Sequence, residues 1–184
     1  IAVFYVSGIW GFSPLETGLA FLPGALAGAL FGRAAGRASE QHGPRVVAVV
    51  GSVIAAAGML AITLMTGAES NYATDWLPGQ LLYGAGSVIA ITGLNAAALT
   101  SAPPAAFALA SGINSAMRQV GGAIGVAIAV AITVDASPGD LVSSHHAAFY
   151  VSTVFMAAAA VAAMAMHGPG RQAQIEPQEA VQAR

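Results

Sequence analysis

VVAVVGSVIAAAGMLAITLMTGA, Val46–Ala68, runs from Arg45 to Glu69 without a charged side chain in 23 residues. A helix rises about 1.5 Å per residue, so about 20 apolar residues cross a hydrocarbon layer roughly 30 Å thick. The stretch reads as a membrane-spanning helix, and comparable runs recur along the chain. An all-α, polytopic membrane protein follows. Composition agrees: of 184 residues, 57% are hydrophobic and 8% charged, where soluble domains carry about a quarter charged residues. Mean hydropathy is +0.73.

The formal net charge is −2, and all six basic residues are arginine. That balance offers no footprint for nucleic acid and no acidic tail for a basic partner. With no cysteine, disulfides, thiolate nucleophiles and cysteine-ligated metals are excluded. The chain begins at Ile1 and enters an apolar run, IAVFYVSGI, too short to span. Residues 1–9 are therefore expected to be the end of a truncated transmembrane helix, and the chain the C-terminal piece of something longer.

Five full spans follow, at about 14–36, 46–67, 77–100, 105–134 and 146–166, making residues 10–167 a single bundle. Pro103 and Pro104 precede the fourth, where a missing N–H suits a first helical turn, and its hydrocarbon-crossing part is placed at 116–134. Residues 168–184 are polar and proline-bearing, the composition of a disordered tail.

Threading these spans puts Arg33, Arg37, Arg45, Arg171 and Arg184 on one side, with Glu16, Glu69, Asp75, Asp135 and Asp140 on the other. The positive-inside rule makes the arginine side cytoplasmic, the tail included. A multi-pass protein of the plasma (inner) membrane is expected. Tyr5, Trp10, Tyr72, Trp76 and Tyr150 fall near the opposite boundary, as expected of an aromatic belt at headgroup level.

In the first span Gly24, Gly28, Gly32 and Gly36 recur every fourth residue, on one face. Lipid supplies no hydrophobic drive between helices, and small residues at this spacing admit another backbone. The face serves packing, or a sliding contact during a conformational cycle. In the fourth span Ile113, Met117, Val120, Ile124 and Ile128 form an apolar stripe expected to face lipid. Ser111, Ser115, Arg118, Gly122 and Gly125 form a face expected to meet protein. A charge such as Arg118 near the hydrocarbon is costly, so it either snorkels to the headgroups or lines a pathway. Asn95 and Asn114 flank one turn, placed to bond across helices or to face a cavity, with Gln119 beside the arginine.

No Asp or Glu falls near the middle of a span, so an intramembrane proton carrier is not expected within these residues. His145 and His146 read as an interfacial pair. Neither HExxH nor GxSxG occurs, and no paired nucleophile and base points to an enzyme.

Three stretches carry a resemblance: GFSPLETGLAFLPGALAG (Gly11–Gly28), GRASEQHGPR (Gly36–Arg45) and SGINSAMRQVGGAIGVA (Ser111–Ala127). Together they are similar to the C-terminal portion of the major facilitator superfamily, and more closely to its fourteen-helix drug/proton antiporter branch, which includes the QacA/EmrB multidrug exporters. The second stretch resembles the cytoplasmic G-x-x-x-D-R-x-G-x-R loop of that family. Gly36, Gly43 and Arg45 match, Glu40 stands for the aspartate and Gln41 for the first basic residue. In the third, Arg118, Gln119, Gly121, Gly122 and Gly125 match the R-Q-x-G-G-A-x-G helix.

The resemblance implies a C-terminal transporter bundle of five full spans plus the end of a sixth. It implies a secondary active exporter of hydrophobic or cationic drugs that uses a proton gradient, with no bound cofactor, by alternating access. Its partners are then membrane lipid, a drug-like substrate and the missing N-terminal half. Asn95, Asn114, Arg118 and Gln119 become substrate-pathway candidates. Gly24, Gly28, Gly32, Gly36, Glu40, Gly43, Arg45, Gly121, Gly122 and Gly125 become packing and gating candidates. The alternatives are a non-transporting membrane scaffold or subunit, and an importer of a small solute.

The orientation is tested by a single cysteine, Asn71→Cys, in this cysteine-free chain. It is expected to react with an impermeant thiol reagent added to intact cells, and labelling seen only after lysis would reverse the topology.

Overall fold

The computed structural model describes residues 1–69, 71–134, 137 and 139–166. The expected tail, Arg171, Arg184 and Asp135 lie outside the described residues. Among those described the chain is helical: α1 (Ala2–Gly8), α2 (Pro14–His42), α3 (Pro44–Met65), α4 (Leu77–Thr100), α5 (Phe107–Thr133) and α6 (Leu141–Met164). Five of these helices are long and apolar enough to cross a membrane.

Local chemistry sets their ends. At the start of α2, Glu16 N–H donates to Ser13 Oγ at 3.3 Å and Ser13 N–H donates to the Glu16 carboxylate at 2.8 Å. This reciprocal cap, with Pro14 in the first turn, satisfies donors that would otherwise be orphaned. α2 does not stop at Gly36. It continues to His42, so most of the segment read as a loop is helical. Ala, Arg, Glu and Gln favour helix, and nothing before Gly43 breaks it. Gly43 has φ of 86°, a backbone region that side chains disfavour, and it joins α2 to α3 as a single-residue turn. With 29 residues, α2 is about 43 Å long and exceeds the hydrocarbon thickness.

A π-helical turn, Tyr72–Trp76, leads into α4, and a 3₁₀ turn, Pro104–Ala106, leads into α5. α6 begins at Leu141, five residues before the expected span, which places His145 and His146 inside the helix.

α4 sits at the centre. Along its contact with α3, Ala48 meets Gly93, Gly51 meets Ala90, Ala55 meets Gly86, Gly58 meets Tyr83 and Ile62 meets Gly79. The numbers rise on one helix as they fall on the other, so the pair is antiparallel. Gly79, Gly86 and Gly93 recur every seventh residue, the period that keeps one seam facing a partner. A Cβ at Gly86 would collide with backbone atoms of Ile54 and Ala55, so the two main chains are in direct contact.

α2 lies along another side of α4, running parallel to it. Gly24 meets Gln80 and Gly84, Gly28 meets Gly84 and Val88, and Gly32 meets Val88. The face ends there, because a Cβ at Gly36 would meet nothing within 4 Å. α6 packs on α3 and buries His145, Ala148, Phe149, Ala160 and Ala163. α5 touches α4 and α6 yet buries none of its residues.

Two of the aromatic residues expected at the boundary turn into the protein. Tyr5 and Trp76 are 0% exposed and form a core with Val6, Ala20, Met59, Ile62 and Phe149. Tyr5 stacks on Trp76 at 6.3 Å and meets the edges of Trp10 and His145 at 5.6 Å. The Tyr5 hydroxyl and Trp10 Nε1 both donate to the Gly67 carbonyl, at 2.8 and 2.9 Å. For Tyr5 and Trp10 the Gly67 carbonyl, free just after α3, gives the polar end of each ring a partner within the protein. Tyr150, 45% exposed, keeps the outward position expected of it.

Gly86→Val is expected to destabilise the fold by about 1–3 kcal/mol, the usual cost of overpacking, read as a lower melting temperature in detergent. Gly121→Ala, which points into open space, should leave it unchanged. Equal losses in both variants would show that the α3–α4 seam is not what limits stability.

Candidate functional site

The polar candidates gather where α4 and α5 meet. Asn114 Nδ2 donates to Asn95 Oδ1 at 2.7 Å, and both residues are half-buried. They lie 19 residues apart, brought together because α4 and α5 fold back on each other through the Ser101–Ala106 turn. An amide pair of this kind satisfies one donor and one acceptor in a setting where water is scarce. Each amide retains further capacity for hydrogen bonding.

Arg118 is one helical turn beyond Asn114 on the same face of α5, about 16 Å along the helix from Phe107. Gln119 is the next residue around the helix, and both side chains are exposed. Ser111, Ser115, Gly122 and Gly125 are exposed as well, and Gly121, Gly122 and Gly125 meet no atom within 4 Å of an added Cβ. The face expected to meet protein therefore lies open. So does most of the apolar stripe: Ile113, Met117, Val120 and Ile124 are exposed, with Ile128 half-buried. Sequence pattern distinguishes the two faces by chemistry, but α5 stands at the rim of the described bundle and neither face is covered.

Gly36 and Glu40 line a separate cavity of about 310 Å³ between α2, α3 and α4, with Ser39, Thr92 and Thr100. Glu40 brings a carboxylate to its lip, while Arg45 is exposed in the first turn of α3. Gly43 forms the turn between them. Gly24 and Gly28 are buried at the α4 contact and belong to the scaffold that positions these groups.

A further cavity, of about 250 Å³, lies at the opposite end of the bundle. Phe21, Met59, Trp76, Gln80, Tyr83 and Phe149 contribute to its walls. Gln80 is 6% exposed, and Gly24 makes room for it: a Cβ on Gly24 would come within 2.8 Å of Gln80 Nε2. Trp76 Nε1 is buried without a hydrogen-bond partner among the described residues, a state that costs free energy. The residue type of Trp76 pointed to a membrane boundary, and the structure turns it inward beside Gln80. Gln80 lies one helical turn beyond Trp76, and its contact with Gly24 of α2 is a tertiary one that no local pattern announces. Among the described residues, no cluster of His, Asp or Glu is arranged to hold a metal.

Membrane-length helices joined by glycine seams define an all-α, multi-pass membrane bundle. The chain belongs to the Major Facilitator Superfamily, whose family model matches residues 1–183. It is 38% identical over 138 residues to the puromycin resistance protein pur8 of Streptomyces alboniger, covering 73% of this chain and 27% of that protein. It is 31% identical over 157 residues to the cephamycin export protein CmcT of Amycolatopsis lactamdurans, covering 83% and 32%. A multidrug resistance protein B homolog of Mycobacterium tuberculosis is 27% identical over 174 residues, covering 94% and 30%. The chain thus spans about a third or less of the length of these relatives. No solved structure matches it.

The Asn95–Asn114 bond is expected to show in a double-mutant cycle. Asn95→Ala and Asn114→Ala should each lower thermal stability, with a coupling of about 0.6 to 1.7 kcal/mol, the range for hydrogen bonds between membrane helices. Fully additive effects would mean that the two amides are energetically independent.

Proposed function

We propose that this chain forms part of a secondary active transporter that exports hydrophobic or cationic drugs by proton antiport with alternating access. The observation that carries the reading is α5. It is a membrane-length helix with an arginine, a glutamine and a glycine-rich face that nothing in the described bundle covers. Leaving such a face to lipid is costly. In this fold substrate sites lie near the midplane at the interface of repeats or halves, and an uncovered polar face is what such an interface requires. Resistance and export proteins among the relatives support an antibiotic-like substrate.

Arg118 and Gln119 then contribute hydrogen-bond donors to the pathway, and the Asn95–Asn114 pair fixes the angle between α4 and α5 at its mouth. The open glycine row on α5 gives a face smooth enough for another helix to move past it, while the row on α2 holds that helix to α4. The proton gradient is the coupling source, and the carboxylate that carries the proton belongs to another part of the whole transporter. The chemistry is transport and not catalysis. Five arginines on one side of the threaded topology support a plasma-membrane location with a cytoplasmic C-terminus.

The reading is tested by drug susceptibility. Expression of the transporter in a sensitive host should raise resistance to hydrophobic or cationic drugs, and Arg118→Ala should lower that resistance several-fold at equal protein level in the membrane. Resistance that is unaffected by Arg118→Ala would reduce the arginine to a headgroup anchor. Resistance that never rises with the wild type would favour a non-transporting subunit.

A further inference from the structure

α4 acts as a wedge between α2 and α3. Each of those helices is held against it through glycines, Gly24 and Gly28 on one side and Gly51 and Gly58 on the other. Helices fixed by close contact to two sides of a third are held apart from each other. Although the Gly43 turn joins α2 to α3, a groove of about 250 Å³ remains between them. Ile89 of α4 is its floor, Phe31, Ala35 and Ala38 form one wall, and Val47 and Val50 form the other.

The polarity of this groove is one-sided. Along the membrane-spanning parts of the helices its walls are apolar, and one polar side chain, His42, lines it at the turn. The surrounding segment, residues 33–45, carries Arg33, Arg37 and Arg45 against a single carboxylate, Glu40. That carboxylate lines the separate cavity with Gly36, Ser39 and Thr92. His42 and Arg45 are exposed, and the first turn of α3 has no side-chain cap. A molecule that fits has an apolar chain to lie within the bilayer and a negative group at headgroup level. Among the described residues no arginine lines the groove itself, but Arg45 adjoins the lining residue Val46, and basic side chains beside a gap between membrane helices recognise anionic lipid headgroups.

We propose that the α2–α3 groove binds one acyl chain of an anionic phospholipid from the leaflet on the Arg45 side, with the phosphate held by His42 and Arg45. Charge-assisted hydrogen bonds to the phosphate and dispersion contacts along the alanine and valine walls hold it. The lipid fills the gap that α4 enforces and ties the two ends of the Gly43 turn together. Movement at the Gly36–Arg45 segment is then coupled to the lipid composition of that leaflet.

The test uses the purified protein in nanodiscs containing photoactivatable phosphatidylglycerol or phosphatidylcholine with the same diazirine-bearing acyl chain, and peptide mapping of the crosslinks. Phosphatidylglycerol is expected to label residues 31–50 at least fivefold more than phosphatidylcholine. Val50→Trp, which fills the groove from a wall position, should lower that labelling at least fivefold. His42→Ala combined with Arg45→Gln should reduce labelling by phosphatidylglycerol to the level of phosphatidylcholine. If Val50→Trp fails to fold, Ala38→Leu fills the same space from α2. Equal labelling of the wild type by both lipids, or labelling that survives a folded groove-filling variant, overturns the proposal.

Discussion

Direct contact between main chains along α4 is the constraint on which the rest of the structure depends. In lipid, burying a leucine against another helix gains little over leaving it among acyl chains, so helices are held by close packing. α4 achieves that on two sides: Gly79, Gly86 and Gly93 let α3 approach, and Gly84 admits Gly24 of α2. Once these three helices are locked, α6 follows by packing on α3, and α1 follows by placing Tyr5 and Val6 in the core beside Trp76. The same wedge leaves a gap between α2 and α3. Tight packing and the open groove thus have a single cause.

The two ends of the bundle differ in character. At the Trp76 end, aromatic rings interlock around Tyr5, and the Gly67 carbonyl accepts from both Tyr5 and Trp10, fixing α1 to the exit of α3. At the Arg45 end the links are sparser. The Asn95–Asn114 bond joins α5 to α4, and Gly43 turns α2 into α3 within one residue. Of the proposed pathway residues, Asn114, Arg118 and Gln119 lie on the helix with no buried position, and Asn95 lies on α4. The proposed transport cycle asks for some elements that are rigid and others free to shift against a partner.

Much of the candidate site's arrangement was legible because its signals are local. Arg118 stands out as a charge inside an apolar run. Asn95 and Asn114 sit on either side of a proline-marked turn, which makes antiparallel neighbours of the helices that carry them. Gly24, Gly28 and Gly32 announce a close crossing by their spacing alone. Other features were not legible. Gly51 and Gly58 pair with residues of α4 in an antiparallel register, and nothing in either helix names its partner. Tyr5 and Trp76 have the residue types of an interfacial belt, so preference for headgroups and preference for a buried core give the same pattern. Gly36 continues the four-residue spacing but meets nothing, because a helix face drifts away from a straight partner when its repeat differs from 3.6 residues per turn.

The amino-acid sequence by itself determined the class of protein, the number of full spans and most of their boundaries. Hydrocarbon thickness, helical rise and the breaking power of proline and glycine act within a single segment. It also determined the family, through motifs contained in one helix or one turn. Tertiary structure alone decided which helix lies at the centre and that Tyr5 and Trp76 are buried. It likewise decided that Gln80 faces a cavity, and that α2 and α3 remain apart. These depend on where side chains from distant segments meet. In a membrane, where nearly every residue is apolar, hydropathy cannot tell a face toward lipid from a face toward protein, and only the fit of one backbone against another makes that choice.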